Sequence, residues 1–426
     1  MDRPRLALYG NFGIRNIGNE CTLSAIVFNL RRRVPAAELF CVCSNPVEVR
    51  RDHGLPSVPI EPKTESPDAP PRHQAPGTRA GLPARLLNFA FKTIPRSVRQ
   101  FRHAWHTMGR TEALILVGTG MLEDDDDSIG WLLPLLVWAT AARLRGCRVL
   151  ALSIGAGPFL GPRTRFLAHS ILRLADYTSY RDQQSLDYVA SSGHSTCGHR
   201  VVPDLAFSLP LPVTTASTET PSRGQCVSVG VIDRSKFHDE TRYLSYIEGL
   251  SAFVVWLLDS GRSVRLIHGD GTYDNESLDR LQQALRARGA DSTSRPVSLS
   301  QISNHVDLMN VMAGADMAVV SRYHNMILAL MLGKPVIALS YHGKFAALME
   351  RFGLGRFCRP LADFDVEWLM QSFSELAVAP PEVADDLLAV AQRCREEVTA
   401  QYGIVEALAR SGISADGIER SSQGTP

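Results

Sequence analysis

"ADMAVVSRYHNMILALMLGKPVIALSYHGK" runs from Ala315 to Lys344. Two short β-branched runs, "MAVVS" and "PVIALS", flank the wholly apolar "MILALML", which stops at Gly333. The pattern reads as strand, buried helix, strand, the unit of a parallel sheet covered by helices. Arg322 and His324 follow the first strand, and Lys344 follows the second. If the two strands are neighbours, all three side chains project over one sheet edge, where parallel sheets bind ligands. Three potential cations beside a helix N-terminus describe a site for a small anion. Tyr323, Asn325 and Tyr341 share these turns and are expected to contact the ligand.

The same alternation recurs outward from this segment. "RLALYG", "EALILVG", "RVLALSIG", "CVSVGVI" and "SVRLIHGD" each precede a glycine or polar loop and then a helical pattern. The chain is therefore expected to be α/β, with two Rossmann-like domains facing across a cleft. Its 426 residues suit two domains. The first is expected over 1–210, with a proline-rich and basic insertion at about 56–110. A Pro/Ser/Thr-rich linker follows at 211–224, then a second domain with closing helices at 225–414 and a frayed tail at 415–426.

Composition excludes several function classes. Forty-five Lys and Arg face 44 Asp and Glu, so no global nucleic-acid signature exists and anion binding must be local. The eight cysteines lack zinc-ligand spacing, and Cys41 and Cys43 form a lone pair in an apolar run. They are expected to be buried thiols, with no metal and no redox cofactor. No secretory leader pattern or 18-residue apolar run is present, so a cytoplasmic protein is expected. "IGWLLPLLVWATAARL" is too short for a span and reads as a buried helix. From Ala69 to Thr111 there are eight Lys or Arg and no Asp or Glu. The apolar stripe within this stretch makes residues 85–110 a candidate peripheral contact with the inner face of a membrane; its alternative is a helix packed on its own domain with a solvated basic face.

Glycine loops supply the opposing half of the cleft. In "GNFGIRNIGNE", Gly10, Gly13 and Gly18 permit close backbone approach, with Asn16, Asn19 and Glu20 opening a helix. "VGTGMLEDDDDS" places Gly118 and Gly120 after a strand, and "SYRDQQS" places Arg181 after another. Asp124 to Asp127 read as a solvated helix start, and Asp204 in "VPDLAF" as a cap for nearby backbone N–H groups.

Taken as an ordered set, "GIRNIGNE", "GTGMLED", "SIGAGPF", "SYRDQQSLDYV", "VPDLAFSLP" and the Ala315–Lys344 segment resemble the polysaccharide pyruvyl transferase family. The resemblance implies a GT-B-like fold and transfer of pyruvate from phosphoenolpyruvate to two hydroxyls of a sugar as a cyclic ketal. It assigns the S-x-R-D arginine to Arg181, the R-x-H pair to Arg322 and His324, and the lysine after the last turn to Lys344. Asn19 stands where relatives usually carry Asp, and Thr119 is the middle residue of a motif that is commonly three glycines.

On this reading His324 is the candidate general acid, or else only a phosphate ligand, while Arg181, Arg322 and Lys344 hold carboxylate and phosphate. Glu20 is the candidate base, and Asn16, Gly18, Asn19, Gly118, Gly120, Tyr323, Asn325 and Tyr341 are the candidate substrate contacts. The co-substrate is phosphoenolpyruvate, and the acceptor a glycan or lipid-linked saccharide of a cell-surface polysaccharide or glycolipid. Two alternatives stand beside it: a nucleotide-sugar glycosyltransferase of the same architecture, and a family member that binds glycans without catalysis.

Overall fold

The computed structural model describes residues 3–62, 94–123, 128–212, 226–290, 297–378 and 382–411. Most of the proline-rich stretch, the start of the basic segment, Asp124 to Asp127, nearly all of the linker and the tail lie outside the described residues.

Two parallel sheets carry the fold. The first has the order β3-β2-β1-β4-β5-β6-β7, built from β1 (Arg5–Gly10), β2 (Glu38–Cys43), β3 (Ser57–Pro59), β4 (Ala113–Val117), β5 (Arg148–Ile154), β6 (Tyr177–Tyr180) and β7 (Arg200–Val201). Strand periodicity divides its two faces: Leu6 and Leu8 of β1 enter one apolar cluster, and Ala7 and Tyr9 the other. Helices α1 (Ile17–Arg33) and α2 (Pro46–His53) contribute to the first cluster. Helices α3 (Ile94–Thr107), α4 (Ser128–Leu144) and α5 (Pro162–Leu174) contribute to the second, and α6 (Gln183–Ser191) follows β6. The apolar segment at 129–144 is thus helical, as its length requires.

The second sheet has the order β10-β9-β8-β11-β12-β13, with β8 (Cys226–Gly230), β9 (Ser263–Ile267), β10 (Val297–Leu299), β11 (Met317–Val320), β12 (Val336–Ser340) and β13 (Cys358–Pro360). Around it lie α7 (Glu240–Asp259), α8 (Asn275–Ala287), α9 (His305–Ala313), α10 (Tyr323–Met331), α11 (Lys344–Arg351) and α12 (Val366–Ala377). β11 and β12 pair in parallel, with Ala318 opposite Val336, so the opening segment is one βαβ unit. Gly333 takes φ +66°, the left-handed turn that ends α10 and admits β12.

Chain order reverses between β1 and β4 and between β8 and β11. Crevices open at such switch points, and here the two crevices face each other. The halves are stitched by backbone bonds: Ile17 N donates to Gly269 O and Gly271 N to Arg15 O. The closing helix α13 (Glu382–Ser411) reaches back to the first sheet, where Gln401 bonds Ser153 and Ser179.

The cysteines depart in part from expectation. Cys21, Cys41, Cys43, Cys147 and Cys394 are buried, whereas Cys197 is exposed and Cys226 and Cys358 are half-buried. Among the described residues, no helix is long and apolar enough to cross a membrane, and no group of three or more His, Cys, Asp or Glu could hold a metal ion.

Candidate functional site

A cavity of about 150 Å³ lies between the two switch points, lined by Asn16, Gly18, Asn19, Thr119, Gly120, Arg181, Gly269, Arg322, Tyr323, His324, Asn325, Tyr341 and Lys344. Helix formation places these residues. Asn16 caps α1, accepting the Asn19 N–H at 3.1 Å, while its amide donates to Asp270 Oδ2 across the cleft at 2.9 Å. Asn19 donates to Asn11 O at 2.9 Å. Tyr323, His324 and Asn325 form the first turn of α10, whose Arg322 N-cap makes no side-chain capping bond. The N–H groups of that turn and the helix dipole favour an anion.

Arg181 and Lys344 converge from opposite halves. Arg181 is buried beneath the cleft, its guanidinium 5.2 Å from the Tyr323 ring centroid, and the Lys344 ammonium stands 5.4 Å from the same ring. Glu123 joins them, paired with Arg181 and 3.5 Å from Lys344 Nζ. Burial alone would raise its pKa, but Lys344, Arg181 and His342 outweigh burial and hold it down at about 2. Tyr341 is flanked by Lys344 and by Lys236, whose Nζ lies 5.5 Å from the ring centroid.

His324 packs its Nδ1 edge against Gly18. A Cβ at that glycine would stand 2.1 Å from Nδ1, so the position admits no side chain without moving the imidazole. On the other edge, Nε2 lies 3.6 Å from Asp204 Oδ2, and neither atom has a hydrogen-bond partner. Asp204 is fully buried. Burial raises its pKa, yet His324, Arg181 and the Ala206 N–H together hold it below the ordinary carboxylate value. It therefore both caps the 3₁₀ turn at Leu205–Ser208, accepting the Ala206 N–H at 3.0 Å, and faces Arg181 and His324. The sequence had suggested the capping role alone.

Asn325 is 1% exposed, and neither its amide nitrogen nor its amide oxygen has a partner. A buried amide unsatisfied on both sides is costly, so a ligand with both donor and acceptor capacity is favoured there.

Arg322 lines the cavity with its charge already engaged, while two other expected site residues, Glu20 and Gly118, lie outside that lining. The Arg322 guanidinium is held by two carboxylates: Nε lies 3.1 Å from both Asp274 oxygens, and Nη2 pairs with Asp274 and, at 2.8 Å, with Asp233. These buried acids attract the cation first, leaving only Nη1 for the cavity. Glu20 points away from the cavity. Its Oε1 accepts the Gly13 N–H at 2.7 Å and its Oε2 lies 2.8 Å from His53 Nε2, so it belongs to a neighbouring cleft of about 850 Å³ beyond the stitched backbone. Gly118 lies outside the cavity lining and instead allows β4 to approach β5: a Cβ there would stand 2.5 Å from Ser153 O.

Sequence reasoning missed Glu123, Asp233, Asp274 and Lys236. Glu123 had a signal, because "GTGMLED" follows a strand beside the switch point. Asp233 and Asp274 lie after β8 and within the loop into α8, and nothing local to either marks a pair with residue 322.

The family model described as polysaccharide pyruvyl transferase matches residues 16–343. No curated protein matches the chain. Among solved structures, a putative UDP-N-acetylglucosamine 2-epimerase from Listeria monocytogenes is similar at TM-score 0.61 and 10% identity, over 96% of this chain and 97% of that one. The Neisseria meningitidis UDP-GlcNAc 2-epimerase bound to UDP-GlcNAc gives 0.55 and 10%, over 93% and 100%. An Anabaena protein in complex with UDP and glucose gives 0.56 and 12%, over 95% and 99%. At these identities the likeness is one of fold, and it is the GT-B architecture of two facing parallel sheets.

Proposed function

Because the chain belongs to the polysaccharide pyruvyl transferase family, we propose that it transfers pyruvate from phosphoenolpyruvate to a sugar of a cell-surface polysaccharide or glycolipid, in the cytoplasm, releasing phosphate. The observation carrying this reading is the convergence of Arg181 and Lys344, from opposite halves, on Tyr323 beside the α10 N-terminus. Phosphoenolpyruvate, with a carboxylate and a phosphate on three carbons, suits cations arriving from two directions. The cavity volume also supports it: about 150 Å³ is the size that holds a benzene-scale ligand. A nucleotide sugar is several times larger, which disfavours the glycosyltransferase alternative at this cavity.

In the proposed reaction His324 protonates the methylene carbon, and an acceptor hydroxyl attacks the resulting oxocarbenium-like C2. Phosphate leaves C2, and a second hydroxyl closes the ketal. One hydroxyl proton replaces the one given by His324 and the other departs with phosphate, so no electrons are exchanged and no redox cofactor is needed. Arg181 and Lys344 stabilise the departing charge. Glu123, its pKa held at about 2 between those two cations, is too weak a base to take a hydroxyl proton and instead positions Arg181 and Lys344. Asp204 orients the His324 ring.

The test is thermal denaturation with phosphoenolpyruvate and with nucleotide sugars, followed by phosphate release over a panel of glycans. Stabilisation by phosphoenolpyruvate alone, lost in Arg181→Met, is expected. Stabilisation by a nucleotide sugar and not by phosphoenolpyruvate would overturn the reading.

A further inference from the structure

The helical layer α3–α4–α5, on the face of the first sheet away from α1 and α2, has a charge pattern the cleft chemistry does not use. From Ile94 to Leu174 the sequence carries ten arginines against six acids, Glu112, Glu123 and Asp124 to Asp127, five of them consecutive between β4 and α4. On α3, Val98 is 54% exposed beside the exposed Arg99 and Arg102. On α5, Phe166 is 65% exposed within the stripe Arg163, Phe166, Arg173, and Leu160 ahead of the helix is 78% exposed. None of Arg99, Arg102, Arg163, Arg165 and Arg173 pairs with a carboxylate among the described residues. Between these two rows lies α4, without a charged residue from Ile129 to Ala142. Leu133, Leu136 and Val137 are half-buried on it.

We propose that this face docks the protein on a bilayer surface containing anionic lipid. Unpaired arginines present planar donors matched to lipid phosphate, and the projecting Val98, Leu160 and Phe166 are the kind of side chain that enters the headgroup boundary. A second copy of the same face is disfavoured, because it would bring the five arginines without a carboxylate partner against the same five. Isolated apolar tips set among cations fit a deformable lipid surface better than a shaped protein partner, which would call for a packed central patch. The expected basic contact at 85–110 is thereby extended to a surface of three helices, and the inference stands apart from the cleft chemistry.

The experiment is flotation of the full chain with vesicles of phosphatidylcholine, alone or with roughly one-third phosphatidylglycerol. Binding to the anionic vesicles alone, weakened by salt, is expected. Arg99→Glu with Arg102→Glu should weaken it by at least about 25-fold, near five-fold for each arginine lost before the added negative charge is counted. Phe166→Ser should weaken it roughly ten-fold. Arg286→Glu, on α8 of the other half, should change nothing. All variants should keep the phosphoenolpyruvate-induced thermal shift of the parent, so failure of the docking and failure of the cleft reading are separately visible. Equal flotation with both vesicle types, or a doubly reversed variant that floats like the parent, would overturn the proposal. So would lipid-free dimerisation abolished by the same substitutions, which would assign the face to a second copy.

Discussion

Substituting Gly18 by alanine tests the site through one methyl group. Gly18 lies in the first turn of α1, and a Cβ there would stand 2.1 Å from His324 Nδ1, 2.7 Å from Cγ and 2.9 Å from Cε1. Carbon and nitrogen settle near ~3.5 Å, so the imidazole must retreat by about 1.4 Å. Two effects on stability oppose each other. Alanine favours the helix by about 0.5–1 kcal/mol, while overpacking costs about 1–3 kcal/mol, so net destabilisation stays within about 2.5 kcal/mol. Activity has no such compensation: a misplacement of about 1 Å in a reacting group costs on the order of 100-fold. Gly18→Ala should therefore melt within a few degrees of the parent yet release phosphate from phosphoenolpyruvate about 100-fold more slowly. His324→Ala should fall by about 100-fold or more, as loss of a general acid predicts. The double variant should fall no further than His324→Ala alone, because both changes remove the same contact. Near-parent turnover in Gly18→Ala, or losses that multiply in the double variant, would refute the placement of His324 at the reacting carbon.

Three further outcomes follow from the charge arrangement. Arg322→Met should destabilise the protein by about 3–5 kcal/mol in urea unfolding, since it strands the buried Asp233 and Asp274 carboxylates, and adding Asp274→Asn should recover part of the loss. Glu20→Gln should leave turnover within a few-fold of the parent while lowering Tm, because its carboxylate serves the Gly13 N–H and His53; a hundred-fold loss of turnover would return Glu20 to the reaction. Glu123 titrates at about 2, below its unfolded value, so its contribution to stability is complete above about pH 4.5 and disappears as pH falls toward 2. Thermal unfolding across that window should show a shallower acid loss in Glu123→Gln than in the parent.

The opening segment was legible because its information is local. Apolar composition, length and Gly333 fix strand, helix and strand without reference to distant residues, and the resulting pairing of β11 with β12 places Tyr323, His324 and Lys344 over one edge. The edge strands β3, β7, β10 and β13 were not singled out. Each has only two or three residues, too few for a period-2 pattern to emerge. The same division holds within the site. Arg181 and Lys344 could be located because each follows a recognisable strand. The fate of Arg322 could not, because the acids that engage it lie 89 and 48 residues away and sequence spacing carries no sign of their approach. Glu20 misled for the converse reason: it opens α1 near the cleft, but its rotamer turns it to Gly13 and His53, and rotamers are set by packing.

The site is also divided in a way that makes its chemistry depend on closure. Arg181, Glu123 and Gly18 come from the first half, while Lys344, His324 and Asn325 come from the second. The contacts of Glu123 with Lys344, and of His324 with Gly18 and Asp204, therefore exist only with the two sheets held face to face. Backbone bonds at Ile17 and Gly271 and the Asn16–Asp270 contact hold that arrangement immediately beside the cavity, and α13 holds it from behind through Gln401. Arg15 adopts φ +61° within this seam, a left-handed conformation uncommon for a side-chain-bearing residue. The strained turn lets its carbonyl accept the Gly271 N–H at 3.2 Å, so the local backbone cost at residue 15 is offset by a bond between halves. In an open arrangement Glu123 would keep Arg181, its partner in the same half, and lose Lys344. Separation thus dismantles the paired-cation site and parts Lys344 from the Glu123 carboxylate, so the proposed anion affinity is a property of the closed pair of domains.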